Sequence, residues 1–188
     1  MLTPAPRRSR WSLIALAAAL ILGGCDDDRS TFAPTESAVA ASRGPALGQC
    51  AGIAAPEGST LILHVGAEGA QIYQWNGTSW AFQGPSATLY ADAGRTAQVG
   101  THYAGPTWES NTGGYVVGRL HTPCEVGAAD IPWLLLDKVR TVGPGIFQNV
   151  ASMQRVNTCG GRAPTDPGTT GEIRNVPYTA EYYFYRAN

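Results

Sequence analysis

Eight consecutive residues, His102-Tyr103-Ala104-Gly105-Pro106-Thr107-Trp108-Glu109, set an imidazole, a phenol, an indole and a carboxylate around one Gly-Pro turn. A turn centred on Gly105-Pro106 folds His102 and Glu109 toward each other. A His–carboxylate pair can act as general base and orienter, or supply two metal ligands. His102, Tyr103, Trp108 and Glu109 are therefore the expected ligand contacts, with His102 and Glu109 the candidate catalytic pair. The plainer alternative is a His that braces the turn, a Trp packed in the core and a solvated Glu.

The other histidines offer less. His64 lies in an apolar strand, where a hydrogen-bonded core residue is the usual reading, and His121 precedes Thr122-Pro123 at an exposed strand end. No two histidines have close metal-ligand spacing, and neither a metal ion nor a cofactor is expected. Glycine-rich nucleotide loops and the G-x-S-x-G nucleophile elbow are absent from the sequence, which sets aside nucleotide binding and the α/β-hydrolase chemistry. Of the tryptophans, Trp75 and Trp80 flank a turn and are expected cross-strand partners, Trp133 is expected in the core, and Trp108 is the one placed at a ligand site.

The elements that must hold these residues read as strands. With 23 glycines, 13 prolines and only 14% charged residues in 188, the chain suits short strands and tight turns better than helices. Ser59 to Val65 is a short apolar run, and Gln71 to Trp75 and Ser79 to Phe82 flank Asn76-Gly77, a hairpin signal. Thr88 to Tyr90 and Arg95 to Val99 flank Asp92-Ala93-Gly94. Further strands are expected at Tyr115 to His121 and at Ile131 to Val139, with Pro132 at a strand start. Gly145 to Val156 is a strand or a short helix, since Phe147, Val150 and Met153 keep helical spacing. Tyr178, Ala180, Tyr182 and Phe184 share one face of a last strand. These predict a mostly β fold: one antiparallel sandwich or barrel-like domain of about eight short strands over residues 50–188.

Ahead of that domain the chain has the order of an export signal. Arg7, Arg8 and Arg10 precede an apolar run from Trp11 to Leu22, which is too short for a bilayer span of about 20 residues. The run ends in Leu22-Gly23-Gly24-Cys25, which resembles the lipobox of bacterial lipoproteins. Residues 1–24 are thus expected to be a signal peptide, and Cys25 the lipidated residue. Residues 25–49, rich in Ser, Thr, Ala and Pro, are an expected flexible tether. Without the three leader arginines the chain carries ten basic against 14 acidic residues, with no basic cluster, so nucleic acid is not an expected partner. The expected partners are a membrane outside the cytoplasm, through the lipid on Cys25, and a small molecule, glycan or protein.

Five spaced segments carry a family resemblance: Ala70-Gln71-Ile72-Tyr73; Gly100 to Glu109; Ile131-Pro132-Trp133-Leu134-Leu135-Leu136; Gln154-Arg155-Val156-Asn157-Thr158 with Gly160-Gly161; and Pro177-Tyr178-Thr179-Ala180. In that order they resemble the secreted bacterial and fungal family known as domain of unknown function 3455, over about residues 54–186. The resemblance implies secretion and no established activity. The functional expectation is a noncatalytic, lipid-anchored binding module, the alternatives being a hydrolase-like enzyme using His102 and Glu109 and a structural envelope protein.

With Cys25 lipidated, Cys50, Cys124 and Cys159 allow one disulfide in three pairings. Cys124–Cys159 is expected, because both sit where a core strand meets a Gly/Pro-rich loop. The anchor is testable directly: in bacteria grown with labelled palmitate the chain should take up label and Cys25→Ser should not. Equal labelling of the two would remove Cys25 as the anchor.

Overall fold

The structure is a computed structural model that describes residues 44–188; the expected leader, Cys25 and the tether up to residue 43 lie outside the described residues. Eight antiparallel strands follow one another around a closed barrel. They are β1 (Thr60–Trp75), β2 (Trp80–Tyr90), β3 (Gln98–Tyr103), β4 (Thr107–Ser110), β5 (Tyr115–Cys124), β6 (Trp133–Val142), β7 (Ser152–Gly160) and β8 (Ile173–Arg186). Each strand pairs with its sequence neighbours, and β1 pairs with β8 from Thr60↔Arg186 to Gln74↔Ile173. Of the two mostly-β architectures expected, the chain adopts the barrel.

The β1–β2 turn closes where the Asn-Gly signal puts it. The Asn76 side-chain oxygen accepts from the N–H groups of Thr78 and Ser79, both at 2.9 Å, and Gly77 has a φ of 99°. Trp75 and Trp80 are register partners with ring centroids 5.4 Å apart. Ser59 to Val65 and Gln71 to Trp75, expected as separate strands, are parts of the single strand β1. The glycines between them read as a break, but Gly69 is a place of close approach. A Cβ there would lie 2.1 Å from the Ser86 carbonyl oxygen of β2, so only glycine lets the ladder continue.

Inside the barrel, alternate residues of the strands form the main core, which includes Val65, Leu89, Trp108, Val116, Met153, Tyr182 and Phe184. Tyr178, Ala180, Tyr182 and Phe184 all face in and are at most 4% exposed. The segment between β6 and β7 plugs one end of the barrel: Phe147 and Val150 are buried, and Phe147 packs on Phe184 at 5.1 Å between centroids. Their helical spacing comes from this turn, in which Gln148 N–H bonds Gly145 O and Val150 N–H bonds Phe147 O. The chain becomes a strand only at Ser152.

A second, smaller core lies on the outer face. The 3-10 helix Gly48–Ile53 brings Cys50 and Ile53 against Leu135, Val156, Tyr183 and Tyr185. Gln154 donates to Ile53 O at 2.6 Å and accepts from the Tyr185 hydroxyl at 2.6 Å, so both ends of its buried amide are satisfied. Trp133, expected in the core, is half-buried at the edge of this outer cluster.

The disulfide differs from the one expected. Cys124 is bonded to Cys50, with Cα atoms 5.7 Å apart, not to Cys159. Cys124 ends β5 and Cys159 lies on β7, with β6 between them. Two inter-strand spacings come to about 9–10 Å, beyond the roughly 7 Å that a disulfide can bridge. Among the described residues no cysteine is a free thiol.

The Cys50–Cys124 bond spans 74 residues in sequence, and a loop of that length is worth about 4 kcal/mol in the chain-entropy account. Changing both residues to alanine should lower the unfolding free energy by about 2–4 kcal/mol in a denaturant titration. Peptide mapping without reduction should recover Cys50 joined to Cys124; a Cys124–Cys159 peptide would refute the pairing.

Candidate functional site

The end of the barrel opposite the Phe147 plug is open, and a cavity of about 360 Å³ runs into it. Its walls are mostly apolar: Phe82, Pro85, Pro106, Trp108, Leu120, Ile131, Leu134 and Leu136 contribute, with Gln71, Tyr73, His102, Arg155 and Tyr182 supplying the polar groups. Among the described residues that line it, Arg155 is the charged one.

His102 on β3 and Trp108 on β4 are register partners across their hairpin. Their rings stack at 4.4 Å with planes 11° apart, and Tyr182 meets both edge-on at 5.1 and 5.3 Å. Gly118 makes room for this stack, since a Cβ there would lie 3.1 Å from Trp108 and 2.6 Å from Met153. His102 Nδ1–H donates to the Thr107 carbonyl at 2.8 Å, which leaves Nε2 as the acceptor. Burial, helped slightly by the charge of Arg155, pushes the His102 pKa down to about 3 against the pull of that hydrogen bond. The ring is therefore neutral at pH 7.

Arg155 on β7 faces inward between Leu134 of β6 and Tyr182 of β8. Its Nε and Nη2 both donate to the Pro132 carbonyl, at 3.1 and 2.8 Å. Tyr73 donates to the Gly161 carbonyl at 2.8 Å. Beside the cavity Trp108 Nε1 is buried without a partner, while Gln71 Nε2 and the Tyr178 and Tyr182 hydroxyls lie in a chain with Arg155 whose members interact but make no well-aligned hydrogen bond. Burial is the main cause holding both phenols un-ionised, and Arg155 lies near enough to draw each back in part.

The four residues expected to share a site are divided between two faces of the sheet. His102 and Trp108 face the cavity. Tyr103 and Glu109 face outward and bond each other, Tyr103 O–H to Glu109 Oε2 at 2.7 Å, which raises the Tyr103 pKa. The reason is the length of the turn. Tyr103 pairs with Thr107, so three residues form the loop and His102 stands opposite Trp108, with Glu109 opposite Thr101. A two-residue Gly-Pro turn would have put Glu109 across from His102, on the same face; one extra residue reverses the face.

His64 is not in the core. It lies on the outer face, stacked on Tyr183 at 4.1 Å and bonded to Glu181 at 3.1 Å. That bond is the first cause holding the Glu181 carboxyl below its ordinary range. His121 is exposed beside Asp137, as expected. Gln71, Tyr73, Arg155 and Tyr182 were not marked as site residues by motif. Their signal is positional: polar side chains at inward positions of strands whose other inward residues are apolar.

A family model described as "Protein of unknown function (DUF3455)" matches residues 56–186. No curated protein and no solved structure matches the chain.

The state of His102 has a measurable consequence. Its pKa is 6.5 when unperturbed and about 3 in the fold, so below pH 6.5 the unfolded chain binds a proton that the native chain does not. Native stability is therefore full above pH 6.5 and falls as the pH drops, by up to about 1.4 kcal/mol per unit. Carboxylate losses such as that of Glu181 begin only near 4.5. Between pH 6.5 and 4.5 the melting temperature should fall, and the fall should be much smaller in His102→Gln. Parallel profiles for the two would show that His102 is not buried neutral.

Proposed function

Because the chain belongs to the DUF3455 family, whose description assigns no activity, we propose a function from the pocket itself: the barrel is a noncatalytic binding module that takes an apolar small molecule through its open end. The observation that carries this reading is the set of poorly satisfied buried polar groups around an apolar cavity. A buried polar group without a partner costs about 1–3 kcal/mol; Trp108 Nε1 has none, and Gln71 and Tyr182 beside the same space have only misaligned neighbours. A ligand that accepts from them would recover part of that cost. The cavity volume also falls in the range of small-molecule sites, about 300–1,000 Å³.

Apolar walls favour such a ligand over a glycan, whose hydroxyls need many polar partners. Hydrolysis by His102 and Glu109 has less support. The two lie on opposite faces, and an imidazole with a pKa near 3 is a weak base at neutral pH. In this reading the lipid on Cys25 holds the module against a membrane outside the cytoplasm, with the open barrel end as the port of exchange.

The neutral probe N-phenyl-1-naphthylamine tests the pocket without presuming a charge. Its fluorescence should rise on mixing with the protein. Leu134→Trp, which fills the wall with an indole, should weaken the probe's affinity about tenfold or more while leaving the melting temperature close to the parent's. No fluorescence rise, or equal binding by the two proteins, would refute the pocket as a binding site.

A further inference from the structure

Arg155 sits in an apolar wall with no acid to balance it. Among the described residues no aspartate or glutamate lines the cavity. The other partly buried arginines, Arg95, Arg162 and Arg174, each meet a carboxylate: Glu68, Glu125 and Asp166 respectively. Arg155 meets no carboxylate among the described residues: it donates to the Pro132 carbonyl through one side of the guanidinium, the Nε and Nη2 edge, and otherwise lies against the Tyr182 hydroxyl. Five N–H groups are present on a guanidinium. Three of them remain, two of these on the end-on edge formed by Nη1 and Nη2, and the neighbour they have is the neutral Tyr182 hydroxyl, not an acid. The end-on edge matches the two oxygens of a carboxylate.

The poorly satisfied groups nearby point the same way. Trp108 Nε1 is a buried donor beside the cavity with no partner, and the Tyr182 hydroxyl, against which Tyr178 and Arg155 lie, has no acceptor for its own hydrogen. The side-chain acceptors facing this space, His102 Nε2 and the amide oxygens of Gln71 and Gln83, are uncharged. A wall with one cation, no described acid beside it and further donors to spare is complementary to an acceptor-rich, negatively charged group. A cationic headgroup would meet Arg155 with nothing to offset the repulsion. One cation also suits one negative charge, and a doubly charged phosphate would keep a charge unmatched in an apolar wall.

Resting on the reading of the pocket as a small-molecule site, we infer that its ligand is a monocarboxylate with an apolar body, the carboxylate set against the end-on edge of Arg155. A cavity of about 360 Å³ lies toward the small end of small-molecule sites. That corresponds to a medium-length alkyl or single-ring carboxylic acid. Leu134, Leu136 and Phe82 then cover the apolar body.

Three probes with the same eight-carbon chain and different charge decide it: octanoate, octanol and octylamine, titrated calorimetrically at pH 7 into the full folded domain. Octanoate should bind about tenfold or more tightly than octanol, and octylamine more weakly than either. Arg155→Met should bring octanoate down to the affinity of octanol while changing octanol itself by less than about twofold. Arg155→Lys, which keeps the charge without the fork, should retain part of the preference. Octanol binding as tightly as octanoate in the parent protein would overturn the carboxylate inference and leave the pocket reading standing. Failure of both, together with no response to the neutral fluorescent probe, would overturn both. The ranking in the parent protein decides the matter even if Arg155→Met melts too low to be titrated.

Discussion

A sheet that closes on itself has one inside, and each strand commits alternate residues to it. In this chain that commitment governs everything else. It sends Tyr178, Ala180, Tyr182 and Phe184 to the interior of β8 and leaves Tyr183 and Tyr185 to the outer face. An eight-stranded barrel is just wide enough to fill with side chains or hold one small ligand, and here the interior is divided lengthwise. Phe147, Val150 and Phe184 fill one end, while the other end stays open around Arg155, Gln71 and Tyr182. The outward tyrosines need a cover of their own, which the helix at Gly48–Ile53 provides, fastened by Cys50 to Cys124.

How much of this was legible in the residues depended on whether the information was local. A mostly β chain, the Asn76-Gly77 turn, the Asp92 loop and the inward face of β8 follow from propensity, turn chemistry and period-two alternation. Strand bounds were less legible, since the strand expected over Arg95 to Val99 is β3 at Gln98–Tyr103 and the short β4 was not expected. The division of His102 from Glu109 was not legible. It turns on a loop of three residues where the Gly-Pro pair suggests two, and a single residue exchanges inside for outside. Arg155 was hidden for a related reason: β7 carries a register shift between Val156 and Cys159, so alternation counted along the strand loses its phase beside the residue that matters. The disulfide was unreadable because it depends on which strands are neighbours. Yet four of the five segments that carry the family resemblance, those containing Gln71, His102, Ile131 and Arg155, supply walls of the one pocket. The fifth places Tyr178 next to it.

The pocket also carries a stability cost that a fully packed barrel would avoid. Filling the open end with leucine would remove the poorly satisfied hydroxyl, amide and indole groups and the unbalanced guanidinium, each unfavourable in an apolar setting. Departures from good packing concentrated in one place, with the remaining interior well filled, are a usual sign of a functional site. The stacked pair of His102 and Trp108 belongs to both regimes. It is sealed from solvent and held by the Thr107 carbonyl, yet presents one edge to the cavity, forming a rigid wall that a ligand need not reorganise.

The barrel is closed by its first and last strands, with Thr60 paired to Arg186. That pairing sets a schedule. A ribosome adding residues from the N-terminus makes β1, the longest strand, first, and its partner β8 last. Until β8 emerges, β1 can pair only with β2, and its other edge is bare. Contacts so distant in sequence form slowly, and unpaired edges invite wrong partners. The barrel thus cannot close until β8 has been made, and a chain that stops short of Ile173 never acquires an inside at all.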